Sequence, residues 1–123
     1  MIYSLFRLRS AHGIVGYMKV FAHGQTEYST DLMWWSSLPI EFKAKDHNCG
    51  MCDRNNRPLF ELDVVTLKRR STAPKILGVI QFNNIEQSFV LIDIDTQDEY
   101  ELFDDHGACF HKSQFKFVGF SFE

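Results

Sequence analysis

Few side chains in this sequence have types and spacing that could do chemistry. His47-x-Cys49-x-x-Cys52 is followed far downstream by His106, Cys109 and His111. Zinc takes Cys and His, and Cys-x-x-Cys is the usual half of a structural zinc site. Cys109 with His111, or with His106, would supply the other half. The chain has only three Cys, and this second half lacks the compact spacing of zinc knuckles. No metal or cofactor is therefore expected, and a zinc site at Cys49, Cys52, Cys109 and His111 stands as the alternative. A redox dithiol fits the pair less well, because no helix follows whose N-terminus would lower a thiol pKa.

Carboxylates form the second group. Asp93, Asp95, Asp98, Glu99, Glu101, Asp104 and Asp105 fall within thirteen residues that hold no Lys or Arg. The spacing lacks the Gly and distal Glu of a calcium-binding EF-hand loop. It suits a solvated hairpin end, or an acidic face that repels nucleic acid and attracts basic partners. Such a patch could also imitate the phosphates of a nucleic acid. The whole chain is −3 and this stretch is −7, so the rest is +4. The one basic cluster is Lys68, Arg69, Arg70 and Lys75. It is either a charged hairpin tip or a weak, salt-sensitive phosphate contact. There is no Gly-rich phosphate loop, no Gly-x-Ser-x-Gly and no His-Glu-x-x-His, so an enzyme is not expected.

The elements that must position these groups read as short strands. At 123 residues, with 45% hydrophobic residues, the chain is long enough for one domain with its own core. Twelve Phe, four Tyr and two Trp favour pleated, half-buried surfaces. Residues 2–9, 14–21 and 25–28 read as a meander, punctuated at Gly13 and Gly24. Ser29-Thr30-Asp31 reads as a helix cap ahead of Leu32-Met33-Trp34-Trp35, giving a short helix over Asp31–Ser37 that Pro39 stops. Trp34 and Trp35 either plug one end of a barrel or leave one ring exposed as a partner-binding platform. Residues 41–57 are polar and read as turns, with a tight turn at Asn55-Asn56. Residues 59–67 read as a strand whose start Asp63 marks by capping a turn. Strands follow at 76–82, 88–94, 100–103, 109–110 and 115–122, with loops at 68–75 and 83–87.

One stretch is more specific. Gly50-Met51-Cys52-Asp53-Arg54-Asn55-Asn56-Arg57-Pro58-Leu59-Phe60-Glu61-Leu62-Asp63-Val64-Val65 resembles the signature of the YopX-like proteins of bacteriophages and prophages. In that family Thr-Gly-Leu-x-Asp-x-Asn-Gly leads into Ile-(Tyr/Phe)-Glu-Gly-Asp-Ile-Val. Gly78-Val79-Ile80-x-Phe82 and Phe89-Val90-Leu91 resemble the two strands that follow. Val118-Gly119-Phe120-Ser121-Phe122-Glu123 resembles the family's closing Ile-Gly-Asn-Ile-Tyr-Glu, and Phe6-Arg7 its early Phe-Arg. The resemblance covers roughly the last 75 residues and the first ten. Cys49 and Cys52 stand at the family's Thr and variable positions, so the turn there needs no metal. Asn56 replaces the turn Gly and can take its left-handed conformation. Leu62 stands where the family has Gly and cannot do so cheaply, so a different local backbone is expected. The resemblance implies a β-rich, possible homo-oligomer encoded by mobile elements, and it brings no catalytic residues.

These readings converge on one all-β domain over residues 1–123, a small SH3-like or related barrel with one short helix. Arg7 and Arg9 interrupt the apolar run that a leader would need, so a cytoplasmic location with reduced thiols is expected, with no membrane segment. The expected function is non-enzymatic binding of a host protein or of a second copy. Its candidate surface is Trp34 and Trp35 with Asp93, Asp95, Asp98, Glu99, Glu101, Asp104 and Asp105. Nucleic-acid binding through Lys68, Arg69, Arg70 and Lys75 is the alternative.

Overall fold

The computed structural model describes residues 2–122. Glu123, the last residue of the closing motif quoted above, lies outside them. Among the described residues, strand follows strand: β1 (Tyr3–Ser10), β2 (Gly13–Phe21), β3 (Thr26–Ser29), β4 (Ala44–Cys52), β5 (Pro58–Phe60), β6 (Asp63–Leu67), β7 (Ile76–Asn83), β8 (Ser88–Asp93), β9 (Glu99–Glu101), β10 (Phe103–Asp104), β11 (Gly107–Ala108), then a 3-10 turn η1 (Lys112–Gln114) and β12 (Phe115–Phe120). The all-β class is what forms. The strand pairing runs between edge strands in each sheet and does not establish a closed barrel. The chain forms two compact units, Met1–Asn48 and Cys49–Glu123.

In the first unit the expected meander is present. β1 pairs with β2 from Tyr3↔Phe21 to Ser10↔Gly13, and β3 pairs with β2 from Tyr17↔Ser29 to Val20↔Thr26. β1 gives its other edge to β4, with Arg7 directly opposite Asp46. This register makes a buried ion pair across the two strands. Arg7 Nε donates to Asp46 Oδ2 at 2.9 Å, and Arg9 adds two bonds to the same carboxylate, at 2.8 Å from Nε and 2.9 Å from Nη2. The pair explains a correction. Residues 44–52 were expected to be polar turn, because Lys, Asp, His and Asn have poor strand propensity. They form a nine-residue strand instead, because β1 offers an open edge and two guanidiniums to bind.

A second correction concerns residues 31–37, where no helix forms. Leu32 takes a left-handed φ of 69°, and the segment folds back until Ser36 and Tyr28 exchange backbone hydrogen bonds of 2.8 and 3.0 Å. Among the described residues, the one helical turn is η1, capped by His111. Residues 109–110, expected as a strand, form a bend.

In the second unit one sheet runs β12-β6-β7-β8-β9, while β5 lies beside β4 and β10 pairs with β11. Strict alternation buries Asp63, Val65 and Leu67 on β6, and Ile76, Gly78 and Ile80 on β7. With Cys49, Met51, Leu59, Leu91, Leu102 and Phe115, these apolar side chains make the core. The strand expected over 59–67 is broken by a turn at Glu61-Leu62, and Asp63 starts β6 as its composition suggested. Asp63 Oδ2 accepts the Phe60 N–H at 2.8 Å, closing that turn.

The backbone at Leu62 overturns the expectation of a different conformation. Leu62 has φ 72° and Asn56 φ 63°, so both hold the left-handed geometry that Gly would supply. For Leu this costs about 1–2 kcal/mol. The site is over-determined: Leu62 N donates to the Ile80 carbonyl at 2.7 Å, and its own carbonyl accepts from Ser121 N and Ser121 Oγ at 2.9 Å each. Leu62→Gly is therefore expected to be neutral or to stabilise by up to about 1 kcal/mol, while Leu62→Val destabilises by about 1–2 kcal/mol, since a β-branched residue is worst at positive φ. Urea midpoints measure both. A loss of several kcal/mol in Leu62→Gly would show that side-chain packing, not turn strain, dominates there.

Candidate functional site

One ordered surface lies in the first unit, on the segment between β3 and β4. Its ordering begins with two nested polar caps. Ser29 Oγ accepts the N–H groups of Asp31 and Leu32 at 3.2 and 2.9 Å, and Asp31 Oδ1 accepts those of Met33 and Trp34 at 2.8 and 3.0 Å. These are the bonds of a helix start, as the sequence suggests, but no helix follows them. The Trp34 and Met33 N–H groups hold the Asp31 carboxyl below its usual range.

Trp35 turns inward. Its Nε1 donates to the Leu32 carbonyl at 3.3 Å, and Lys19 Nζ sits 4.2 Å above its ring and 4.7 Å from that of Tyr3. Trp34 turns outward and is 80% exposed, so one ring is exposed and the other half-buried. Met33 at 78% and Leu38 at 75% are exposed with it, and Phe42 and Pro39 also reach solvent. Ile40 anchors the segment against β2. A Cβ at Gly16 would stand 2.7 Å from both Ile40 Cδ1 and the Ser29 carbonyl oxygen, so the close approach requires glycine.

Two depressions flank this ridge. One, of about 300 Å³, is lined by Tyr28, Trp34, Trp35, Leu38, Pro39 and Ile40 among others. The other, of about 570 Å³, is lined by Ser10, Tyr28 and residues 39–43. Sequence reasoning singled out the Trp pair but missed Met33, Leu38 and Phe42. The available signal was several large apolar residues on a segment too short to bury them as a helix.

The acidic stretch lies in the second unit and divides. Asp93 is buried at the end of β8, where its Oδ1 accepts the N–H groups of Asp95 and Thr96 at 2.8 and 3.3 Å, so it closes a turn. Asp95, Asp98, Glu99, Glu101, Asp104 and Asp105 are exposed. Glu101, Asp104 and Asp105 join Glu86, Ser88 and Phe103 around a depression of about 450 Å³. Lys68, Arg69, Arg70 and Lys75 are exposed on the β6–β7 connection, with the Arg69 guanidinium 5.2 Å from the Tyr100 ring centroid.

The Cys and His residues are not brought together. Among the described residues, no group of three or more His, Cys, Asp and Glu is placed to hold a metal ion. The reason is the strand. Cys49-x-x-Cys52 lies within β4, with a left-handed φ of 82° at Gly50, rather than in the tight turn of a zinc half-site. Cys49 is buried with Met51 in the core, while Cys52 is half-exposed. His111 Nδ1 accepts the Ser113 N–H at 3.1 Å as the cap of η1. His106 and Cys109 are exposed, and His47 packs edge-on against Phe6 with ring centroids 5.2 Å apart. Burial pushes the Cys49 thiol up to about 12. Desolvation, then the Asp104 carboxylate and Glu101, raise Cys109 as well. Both shifts disfavour the thiolate that a nucleophile or zinc ligand must become.

Set against protein-family models, curated proteins and solved structures, the chain matches none. The residues themselves must carry the functional reading. Alkylation with iodoacetamide at pH 8, followed by intact mass, is expected to leave Cys49 unmodified in the folded chain and to reach it only in denaturant. Modification of Cys49 at the rate of an exposed thiol would contradict its place in the core.

Proposed function

We propose that the chain is a non-enzymatic binding module whose first unit engages a protein partner through the apolar ridge of residues 33–42. The observation that carries this reading is the exposure of Met33, Trp34 and Leu38 within six residues on a segment whose backbone is already fixed. Large exposed apolar side chains mark interaction surfaces, and a preordered segment loses little entropy on docking. Trp is the residue most enriched at binding hot spots, and the flanking depressions can receive side chains of the partner. The exposed acids of the second unit contribute to encounter rate and orientation with a basic partner more than to affinity.

Binding rather than turnover accords with the raised Cys49 and Cys109 thiols and with buried carboxylates that are occupied by backbone or guanidinium donors. No helix among the described residues is long and apolar enough to cross a membrane. An accessory role in the bacterial cytoplasm, of the phage or prophage kind, is what the YopX-like resemblance implies; Asn56 and Leu62, at positions where that signature has Gly, both take left-handed φ, which Gly adopts freely.

The test compares wild type with Trp34→Ala and with Leu38→Ala, by affinity capture from nuclease-treated bacterial lysate and by sedimentation of the purified chain. A hot-spot truncation of about 2 kcal/mol predicts that Trp34→Ala weakens the partner complex, or the self-complex, by about thirtyfold with the melting temperature unchanged. A partner retained at full strength by both variants would overturn the assignment of this ridge.

A further inference from the structure

Every Lys and Arg of the second unit falls within residues 54–57, 68–75 or 112–116, and these stretches contain no Asp or Glu. Hydrogen bonds sew the three together. The Arg54 N–H donates to the Phe115 carbonyl at 3.0 Å, and Lys112 Nζ to Asn56 Oδ1 at 2.6 Å. The Lys68 N–H donates to the Gln114 carbonyl at 2.9 Å, while Gln114 Nε2 returns bonds to the carbonyls of Lys68 and Arg69 at 3.1 and 3.0 Å. Pairing of Phe115 with Leu67 puts the 68–75 and 111–114 segments at the same end of the sheet. Cations far apart in sequence thus meet at one end of this unit.

The β6–β7 and β7–β8 registers place the exposed Asp95 and Asp98, on the β8–β9 connection, and Glu99, at the start of β9, at the same end of the sheet as residues 68–75. On the side of Arg54, Arg57 and Lys112 the adjoining acid, Asp53, is buried, and its carboxylate is filled by the N–H groups of Asn55, Arg57 and Phe117 at 2.9, 3.0 and 3.0 Å.

Aromatic rings lie beside these charges. The Arg57 guanidinium carbon is 3.6 Å from the Phe117 ring centroid and 5.7 Å from that of Phe120. Phe120 in turn packs edge-on against Phe117 and stacks on Phe122, at 5.2 and 5.0 Å. Arg57 itself is exposed. A guanidinium laid flat on a ring presents a planar, cationic outer face, on which an unstacked base can stack.

We propose that this basic end binds single-stranded nucleic acid, with phosphates against Arg54, Lys68, Arg69, Arg70 and Lys112 and a base stacked on the Arg57–Phe117 pair. A duplex, whose bases are already stacked, would use the cations and leave the planar face idle; a single strand uses both. Phosphate contacts of this kind read no sequence, so the site is expected to be tolerant of base identity. The proposal stands independently of the ridge in the first unit.

Fluorescence anisotropy with labelled (dT)20, from 50 to 200 mM salt, tests it on the full chain. About five phosphate contacts predict a log–log salt slope near −3.5. Arg69→Glu with Arg70→Glu, on an exposed connection, is expected to flatten that slope by about 1.4. Arg57→Ala is expected to weaken binding by about tenfold, a loss of the size stacking supplies, while flattening the slope by no more than about 0.7. Lys43→Glu with Lys45→Glu changes net charge equally in the first unit and should leave binding as it was. No binding at 50 mM salt would overturn the proposal. So would equal weakening by both charge-reversed pairs, or tighter binding of a duplex of the same length. If Arg57→Ala does not fold, the Arg69/Arg70 pair and the duplex comparison still decide.

Discussion

Buried carboxylates, each answered by backbone N–H groups or guanidiniums, are the constraint on which this structure depends. The described residues form short strands and no α-helix, so they make many turns, and every turn leaves N–H groups that need acceptors. Asp53 takes three of them, Asp63 and Asp93 close the turns before β6 and after β8, and Asp46 takes Arg7 and Arg9 across β1 and β4. A carboxylate that accepts such bonds has its acceptor oxygens satisfied although buried, and it fixes strand ends without a metal or a disulfide. The arrangement is stabilising only while complete: removing one member of a buried ion pair typically costs about 3–5 kcal/mol, because the other charge is left behind.

Carboxylates that accept backbone N–H groups, exposed at Asp31 and buried at Asp53, also shape the two surfaces. In the first unit, Asp31 and Ser29 satisfy the backbone of residues 31–34, so Trp34 and Met33 can stand in solvent on an ordered segment. In the second, burial of Asp53 removes the one carboxylate within the 53–57 loop and lets it hold β12 against that loop, which brings Arg57 over Phe117. Burial pushes the Asp53 pKa up, but the N–H groups of Phe117, Arg57 and Asn55 and the charge of Arg57 outweigh it, so the net shift is downward. A carboxyl whose folded pKa is depressed contributes stability that is fully present above its ordinary value and lost as pH falls through the folded one. Asp53 and Asp31 thus predict loosening of their turns in acid, below the usual carboxylate range.

Much of this was legible where the causes are local. The meander of β1 to β3 follows from apolar runs broken at Gly13 and Gly24, and Asp63 at the head of β6 from a carboxylate just ahead of Val64 and Val65. The rest was hidden because its causes lie far off in sequence. Residues 44–48 are a strand only because Arg7 and Arg9, 39 and 37 residues from Asp46, offer it an edge and two charges. The caps at Ser29 and Asp31 form as read, yet Leu32 at positive φ diverts the chain before a helix can start. Local pattern left two readings open for Trp34 and Trp35, both rings buried or one exposed, and it could not show which ring faces solvent or that Met33 and Leu38 join it. Likewise Lys68, Arg69 and Arg70 were visible as a cluster, whereas their alliance with Arg54, Arg57 and Lys112 depends on hydrogen bonds that only the fold creates. The Cys-x-x-Cys spacing misled because its meaning as a chelate requires a turn, and the fold made it a strand.

A carbon-13-detected carboxyl titration of the folded chain follows each carboxylate separately. If backbone N–H groups hold these carboxylates ionised, Asp31 and Asp53 will titrate below the ordinary value of 3.8, and the amide resonances of Met33, Trp34, Asn55 and Phe117 will shift with the same midpoints. Titration of Asp53 at or above 3.8, with those amides unmoved, would contradict the account.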